Sequence, residues 1–209
     1  MSITSALLGF AAVAAVLTVI PGLDTTLVLR SALTQSRRHA AVTALGVSVG
    51  ALAWGAAAAV GAAALLAASE LAYRALTIVG AAYMAYLGVM LIVRSFRHEP
   101  VALDQAATPM PLWRSFLTGA WTNLLNPKIG AFYVATIPQF IPEGASHLGM
   151  GLLLAGVHDG IGLLWFAGII GGAQAARRWL ANARALKIID RIAGVVVIGF
   201  GARLVLERH

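Results

Sequence analysis

Six apolar runs, each about as long as a bilayer crossing, constrain this 209-residue chain more than any other feature. They cover roughly 3–29, 40–66, 71–93, 115–141, 147–173 and 186–206. A crossing takes ~20 mostly apolar residues over a ~30 Å hydrocarbon core. Lipid offers backbone amides no partner, so runs of this length must be helices. Composition agrees: 60% of residues are hydrophobic and 11% are charged, against about 25% charged in soluble domains. The expected fold is an all-α membrane protein with six transmembrane helices. Met1 to Thr4 holds no Lys or Arg, so the first run reads as a retained helix, not a signal peptide.

Charge between the runs orients them. Arg30, Arg37 and Arg38 follow the first run, and Arg94, Arg97 and Arg114 flank the third connection. Arg177, Arg178, Arg184, Lys187 and Arg191 cluster about the fifth. Only Arg74, Arg203 and Arg208 lie on the other side, and Lys128 belongs to neither. The positive-inside rule then puts the odd connections in the cytoplasm of a multi-pass inner-membrane protein, with both termini outside. The same distribution argues against nucleic acid, since the formal charge of +7 forms no continuous basic face. The connection RRWLANARALK reads as an anchor touching anionic lipid. The chain has no cysteine, which removes disulfides, thiolate chemistry and Cys-based metal sites. His39, His98, His147 and His209 lie in connections or at the end without ligand spacing, so neither metal nor cofactor is expected. Glu70 and Glu143 fall at outer edges and read as solvated.

Two of the runs are interrupted. The first reads VLTVIPGLDTTLVLR, with Pro21, Gly22 and then Asp24; the fourth reads NLLNPKIGAFYV, with Asn126, Pro127 and Lys128. The two prolines are 106 residues apart, and Gly50 matches Gly156 at the same offset. The whole chain, 1–209, therefore reads as one transmembrane domain in two halves. Residues 1–93 form the first half, the polar and proline-bearing stretch 94–114 a cytoplasmic linker, and 115–209 the second half. Three spans in each half make the second an inverted repeat of the first, with helices 1 and 4 broken. Distances from the basic edges put both breaks roughly 14–20 Å deep, near mid-bilayer.

Asn126 suits an N-cap and Pro127 the first helical position, so the second break starts a half-helix inside the membrane. Its N–H groups favour an anion, and Lys128 carries a cation at the end the dipole favours least. In the fifth run, LLLAGVHDGIGLLWF places Asp159 near mid-depth beside His158, which reads as a structural histidine. A charge at the bilayer centre costs at least ~2.5–3.5 kcal/mol. Asp24, Lys128 and Asp159 should therefore face one another or a wet cavity. The bland alternative is a buried ion pair that only fixes register. Gly46 with Gly50, and Gly156 with Gly160, form small-xxx-small pairs that would pack the second and fifth helices against the broken ones.

The stretches PGLDTTLVLRSALTQSRRHAAVTALGVSVG and TNLLNPKIGAFYVATIPQF resemble the two signatures of the LysE/RhtB amino-acid exporter family. The first signature has Pro-Gly-Pro followed by Asp or Asn, and the second is built on Asn-Pro-Lys. Leu23 stands where the family usually has Pro. The resemblance implies proton-driven export of amino acids or similar small metabolites from the cytoplasm. It carries over to Pro21, Gly22, Asp24, Asn126, Pro127 and Lys128. On this reading the substrate carboxylate sits near Asn126 and Lys128. Asp24 or Asp159 holds the substrate ammonium or, alternately, a proton. The alternatives are an intramembrane enzyme using Asp24 and Asp159 as an acid pair, and a passive channel. The buried Lys128 argues against a shared-proton pair, so the chain is not expected to be an enzyme. Gly-rich faces permit a homodimer without requiring one.

Overall fold

A computed structural model describes residues 1–96, 110–180 and 182–206. The linker residues 97–109, including Arg97 and His98, lie outside the described residues, as do Arg208 and His209. Among the described residues all regular structure is helical: α1 (Ile3–Val19), α2 (Leu23–Thr34), α3 (Arg37–Ala68), α4 (Glu70–Arg94), α5 (Leu112–Leu124), α6 (Pro127–Thr136), α7 (His147–Gly171), α8 (Ala173–Leu180) and α9 (Ala183–Leu206).

Local chemistry sets the boundaries. Ser2, Ser36, Ser69 and Ser146 are N-caps whose hydroxyls accept from the backbone N–H of Ser5, His39, Ala72 and Gly149. Ser69 also closes α3, so a single residue turns the chain from α3 into α4. Asn182 accepts from the N–H groups of Arg184 and Ala185 to start α9. A 3₁₀ turn, Ile137–Phe140, ends α6 at Pro138, where the missing N–H prevents the helix from continuing.

The two expected breaks are present. Ile20 (φ −69°, ψ 113°) and Asn126 (φ −79°, ψ 107°) both adopt the extended backbone imposed on a residue before proline. Helices α1 and α2 meet at 54°. By length and apolarity α3, α4 and α7 can each cross a membrane, and the bent α1–α2 pair can act as a fourth span. The six runs expected from the sequence are thus not all intact spans. Helices α5 and α6 are 13 and 10 residues long on either side of a break. Helix α9 carries Arg184, Lys187, Asp190 and Arg191 in its first turns and Arg203 near its end.

The surface is oily and the interior partly polar. Leu8, Leu71, Ile78, Val79, Leu125, Leu164 and Val195 are exposed, while Asp24, Thr25, Ser31, Ser115, Asn123 and Asn126 are buried. In water this would be a large exposed apolar surface; in lipid it is a matched one. Phe10 of α1 packs against Phe132 and Phe140 at ring-centroid distances of 5.9 and 5.6 Å, fixing α1 to the end of the second broken pair.

Helices meet where side chains are absent. A Cβ on Gly46 would overlap the Phe116 carbonyl of α5, and one on Gly50 would lie 2.9 Å from Asn123. Gly119 of α5 returns the contact against the Thr43 carbonyl of α3. Helix α3 also crosses α7 at Gly55 and Gly151, and α4 crosses α9 at Gly88 and Gly194. The close contact expected at Gly156 and Gly160 is not formed. Both lie on an exposed face of α7, and a Cβ on either would meet nothing within 4 Å. The glycine of α7 that approaches a neighbour is Gly151, about a turn and a half earlier. Arg191 donates to Ser95 Oγ at 3.2 Å and lies 4.7 Å from the centre of the Phe96 ring, tying α9 to the end of α4.

Gly46→Ala should lower stability by about 1–3 kcal/mol, because the added methyl meets backbone that cannot rotate away. Gly156→Ala should leave it unchanged. Thermal unfolding of the two variants in detergent separates them.

Candidate functional site

Each break exposes backbone groups that lipid cannot satisfy, and the two breaks satisfy one another. Asp24 lies in the first turn of α2, where the positive end of the helix dipole favours a carboxylate. Its Oδ2 accepts from Asn123 Nδ2 at 3.0 Å and from Asn126 Nδ2 at 3.3 Å, both at the other break. Asn126 uses both ends of its amide. Its Oδ1 accepts the Lys128 N–H at 3.1 Å, capping α6, while its Nδ2 reaches Asp24.

Lys128 resolves the apparent misfit of a cation at a helix N-terminus. Its side chain crosses the gap, and Nζ donates to the carbonyls of Leu17 and Ile20 at 3.3 and 3.2 Å. Those carbonyls belong to the C-terminal end of α1, the negative end of that dipole. The crossing passes close to Gly22, where a Cβ would lie 3.6 Å from Nζ. Lys128 also acts electrostatically on Asp24. The Lys128 N–H at the start of α6, where the sequence reading seats a substrate anion, is therefore occupied by Asn126.

A cavity of about 60 Å³ lies between the two breaks, α3 and α7, with Asp24, Asn126, Lys128, Ser48, His158 and Asp159 in its wall. That is room for a few waters. Asp159 of α7 and Ser48 of α3 share the wall of this cavity. One oxygen of each acid, Asp24 Oδ1 and Asp159 Oδ2, is buried and accepts no hydrogen bond from the protein. A buried carboxylate oxygen left in this way is costly. Among the described residues no cluster of three or more metal-ligating side chains occurs.

The structure thus brings Asp24, Asn126, Lys128 and Asp159 to one cavity, with Gly22 beside it. Gly46 packs α3 against α5, and Gly156 and Gly160 are directed away from any neighbour. His158 shares the cavity wall with Asp159, and its Nδ1 is 2.9 Å from the hydroxyl of Tyr133 on α6, which is fully buried. The sequence reading missed Asn123, Ser48 and Trp165 of the cavity wall, and Tyr133 beside His158. Asn123 carried a usable signal, since it precedes Asn126 by one helical turn in an otherwise apolar run. Ser48 lies between two glycines of the α3 contact face. Tyr133 and Trp165 look like ordinary apolar positions in one dimension.

A helical protein with an apolar exterior, two broken helices and charged groups gathered between them has the features of a membrane transporter. Residues 15–208 match the LysE type translocator family, and the chain belongs to it. It is 29% identical to membrane protein YrhP of Bacillus subtilis (strain 168) over 94% of this chain and 97% of that protein. It is 25% identical to the threonine efflux protein of Escherichia coli (strain K12), over 90% and 91% of the two chains. The same identity relates it to the leucine efflux protein of Salmonella choleraesuis (strain SC-B67), over 88% and 87%. No solved structure matches the chain.

Leu23 occupies the first position of α2, more than half exposed, and the break persists without a proline there. Proline is well suited to this position, whose N–H has no partner within the helix. Leu23→Pro should therefore preserve the fold and change stability by no more than about 0.4–1 kcal/mol, in the stabilising direction. The unfolding midpoint and far-ultraviolet circular dichroism of the variant check this.

Proposed function

We propose that this translocator exports amino acids from the cytoplasm in exchange for protons, through the cavity between the two breaks. The observation that carries the reading is the convergence of two carboxylates and one ammonium on that cavity, each carboxylate with an oxygen unused by the protein. A substrate ammonium brings three donors to these acceptors. A proton satisfies the same oxygens when the substrate has left, and that mutual exclusion is what exchange requires. Lys128 supplies the positive charge for the substrate carboxylate from the same wall. The threonine and leucine efflux relatives share, in their named substrates, only the α-amino acid head group.

Alternating access follows if the two halves, 1–93 and 115–209, form inverted repeats. The breaks and the packing support this. Both halves open with a helix broken at an X-Pro step, α3 pairs with α7, and α4 pairs with α9. The contact of α3 with α5 is also matched, on exchange of the halves, by that of α7 with α1. On this topology the basic edge at Arg37, Arg38 and Arg114 faces the cytoplasm of an inner-membrane protein and both termini lie outside. The acid-pair enzyme gains no support, because Asp24 is bonded to Asn123 and Asn126.

Vesicles loaded with labelled threonine or leucine test the reading under an imposed proton gradient. Asp24→Asn and Lys128→Ala should each reduce gradient-driven efflux about 10- to 150-fold, the equivalent of losing one charged hydrogen bond of about 1.5–3 kcal/mol. Wild-type rates in both folded variants reject the site. Flux that neither saturates nor follows the gradient would instead indicate a channel.

A further inference from the structure

The charged side chains of the cavity wall are Asp24, Lys128 and Asp159. The transport reading commits all three to the ammonium and carboxylate that every amino acid carries. The side chain of the cargo, the part that differs between amino acids, still has no assigned place. Helix α7 offers one.

The face of α7 that lines the cavity carries His158, Asp159, Gly162, Trp165 and Phe166. At 3.6 residues per turn, Gly162 falls between His158 and Asp159 around the helix and ~4.5–6 Å beyond them along it. Trp165 and Phe166 follow after the same interval, one to either side. The centre of this face is thus a position without a side chain. Gly162 is half-buried and lines the cavity, yet a Cβ built on it would meet nothing within 4 Å. Gly156 and Gly160 also meet nothing, but they lie on the exposed face of the same helix.

The packing of α3 explains the gap. Gly55 lies against Ala155, and Gly151 against Ala59, so the two helices run antiparallel. They nearly touch there: a Cβ on Gly55 would lie 3.3 Å from the Gly151 carbonyl oxygen, and one on Gly151 would lie 3.1 Å from that of Gly55. The same register brings Ser48 level with Gly162, and by that level the helices have parted. Past the gap, Val47 and Phe166 belong to one buried cluster. Trp165 is held by an edge contact with Trp179 of α8, at a ring-centroid distance of 5.8 Å. The space at Gly162 therefore has Asp159 at one end, and aromatic and aliphatic side chains at the other.

We infer that Gly162 is the specificity-determining residue of the cavity, and that the recess it leaves takes the side chain of an uncharged amino acid. This inference rests on the transport reading and adds the class of cargo to it. The recess has apolar walls and the hydroxyl of Ser48, and once the head group is bound it has no charge left to offer. A cationic or anionic side chain would lose its water there without gaining a partner.

Vesicles under an imposed proton gradient, loaded in turn with labelled glycine, alanine, threonine, leucine or lysine, test this. Glycine has no side chain and is the internal reference. In Gly162→Ala the added methyl enters the recess without touching the protein, and alanine suits a helix better than glycine, so the unfolding midpoint should not fall. Efflux of the largest side chain that the wild type exports should drop about 10- to 200-fold relative to glycine, the usual effect of one carbon in an apolar pocket. Gly160→Ala should leave that ratio unchanged, and wild-type efflux of lysine should stay at background. The inference alone is overturned by an unchanged ratio in Gly162→Ala, a lowered midpoint in that variant, lysine efflux equal to that of leucine, or export confined to glycine. Wild-type vesicles that export none of the five overturn the transport reading, and the inference with it.

Discussion

Everything in this molecule depends on how two helices can break inside a membrane protein. A helix end leaves up to four N–H or four carbonyl groups without partners, and each one left bare in hydrocarbon costs several kcal/mol. Here each break supplies what the other lacks. Asp24, at the start of α2, is held by the amides of Asn123 and Asn126; Lys128, at the start of α6, reaches back to the carbonyls that end α1. The charges are located by backbone that must be satisfied, and the exchange of caps holds the two breaks face to face.

That arrangement leaves the site incomplete in a particular way. Asp24 has one oxygen committed to the asparagines and one uncommitted, and Asp159 likewise has an oxygen without a partner. A fully satisfied network would be a structural plug. A half-satisfied one, in a cavity with room for a few waters, leaves buried acceptors open. The glycine crossings make this geometry possible, since only close approach of α3 to α5 and α7 can bring residues from six helices to one small cavity. The apolar exterior contributes nothing to this recognition; it matches the lipid and leaves the interior free to be polar.

Comparing residues shows which features could be read in one dimension. The breaks were legible because their causes are local: proline dictates the backbone of the residue before it, and Asn126 caps its own helix. The gathering of Asp24, Lys128 and Asp159 was legible because burial in lipid forces charges together. The partner of Lys128 was not. Dipole reasoning within α6 treats the ammonium as misplaced, and only the position of α1 across the gap shows where it belongs. Gly156 and Gly160 show the opposite failure: their spacing matches a packing motif, yet whether a glycine face meets a neighbour depends on which way the helix is turned. Asn123, Ser48 and Tyr133 become site residues only through contacts with helices distant in the chain.

By itself, then, the amino-acid order determined the solvent, the helical class, the two interruptions and the family, because each follows from composition or from interactions within a few residues. The tertiary structure decided which glycines touch, which oxygens are left without partners and which carbonyls receive the ammonium of Lys128. Those outcomes depend on the rotation and crossing of helices whose hydrogen bonds join residues up to 111 positions apart, and no local pattern encodes a rotation that only packing selects.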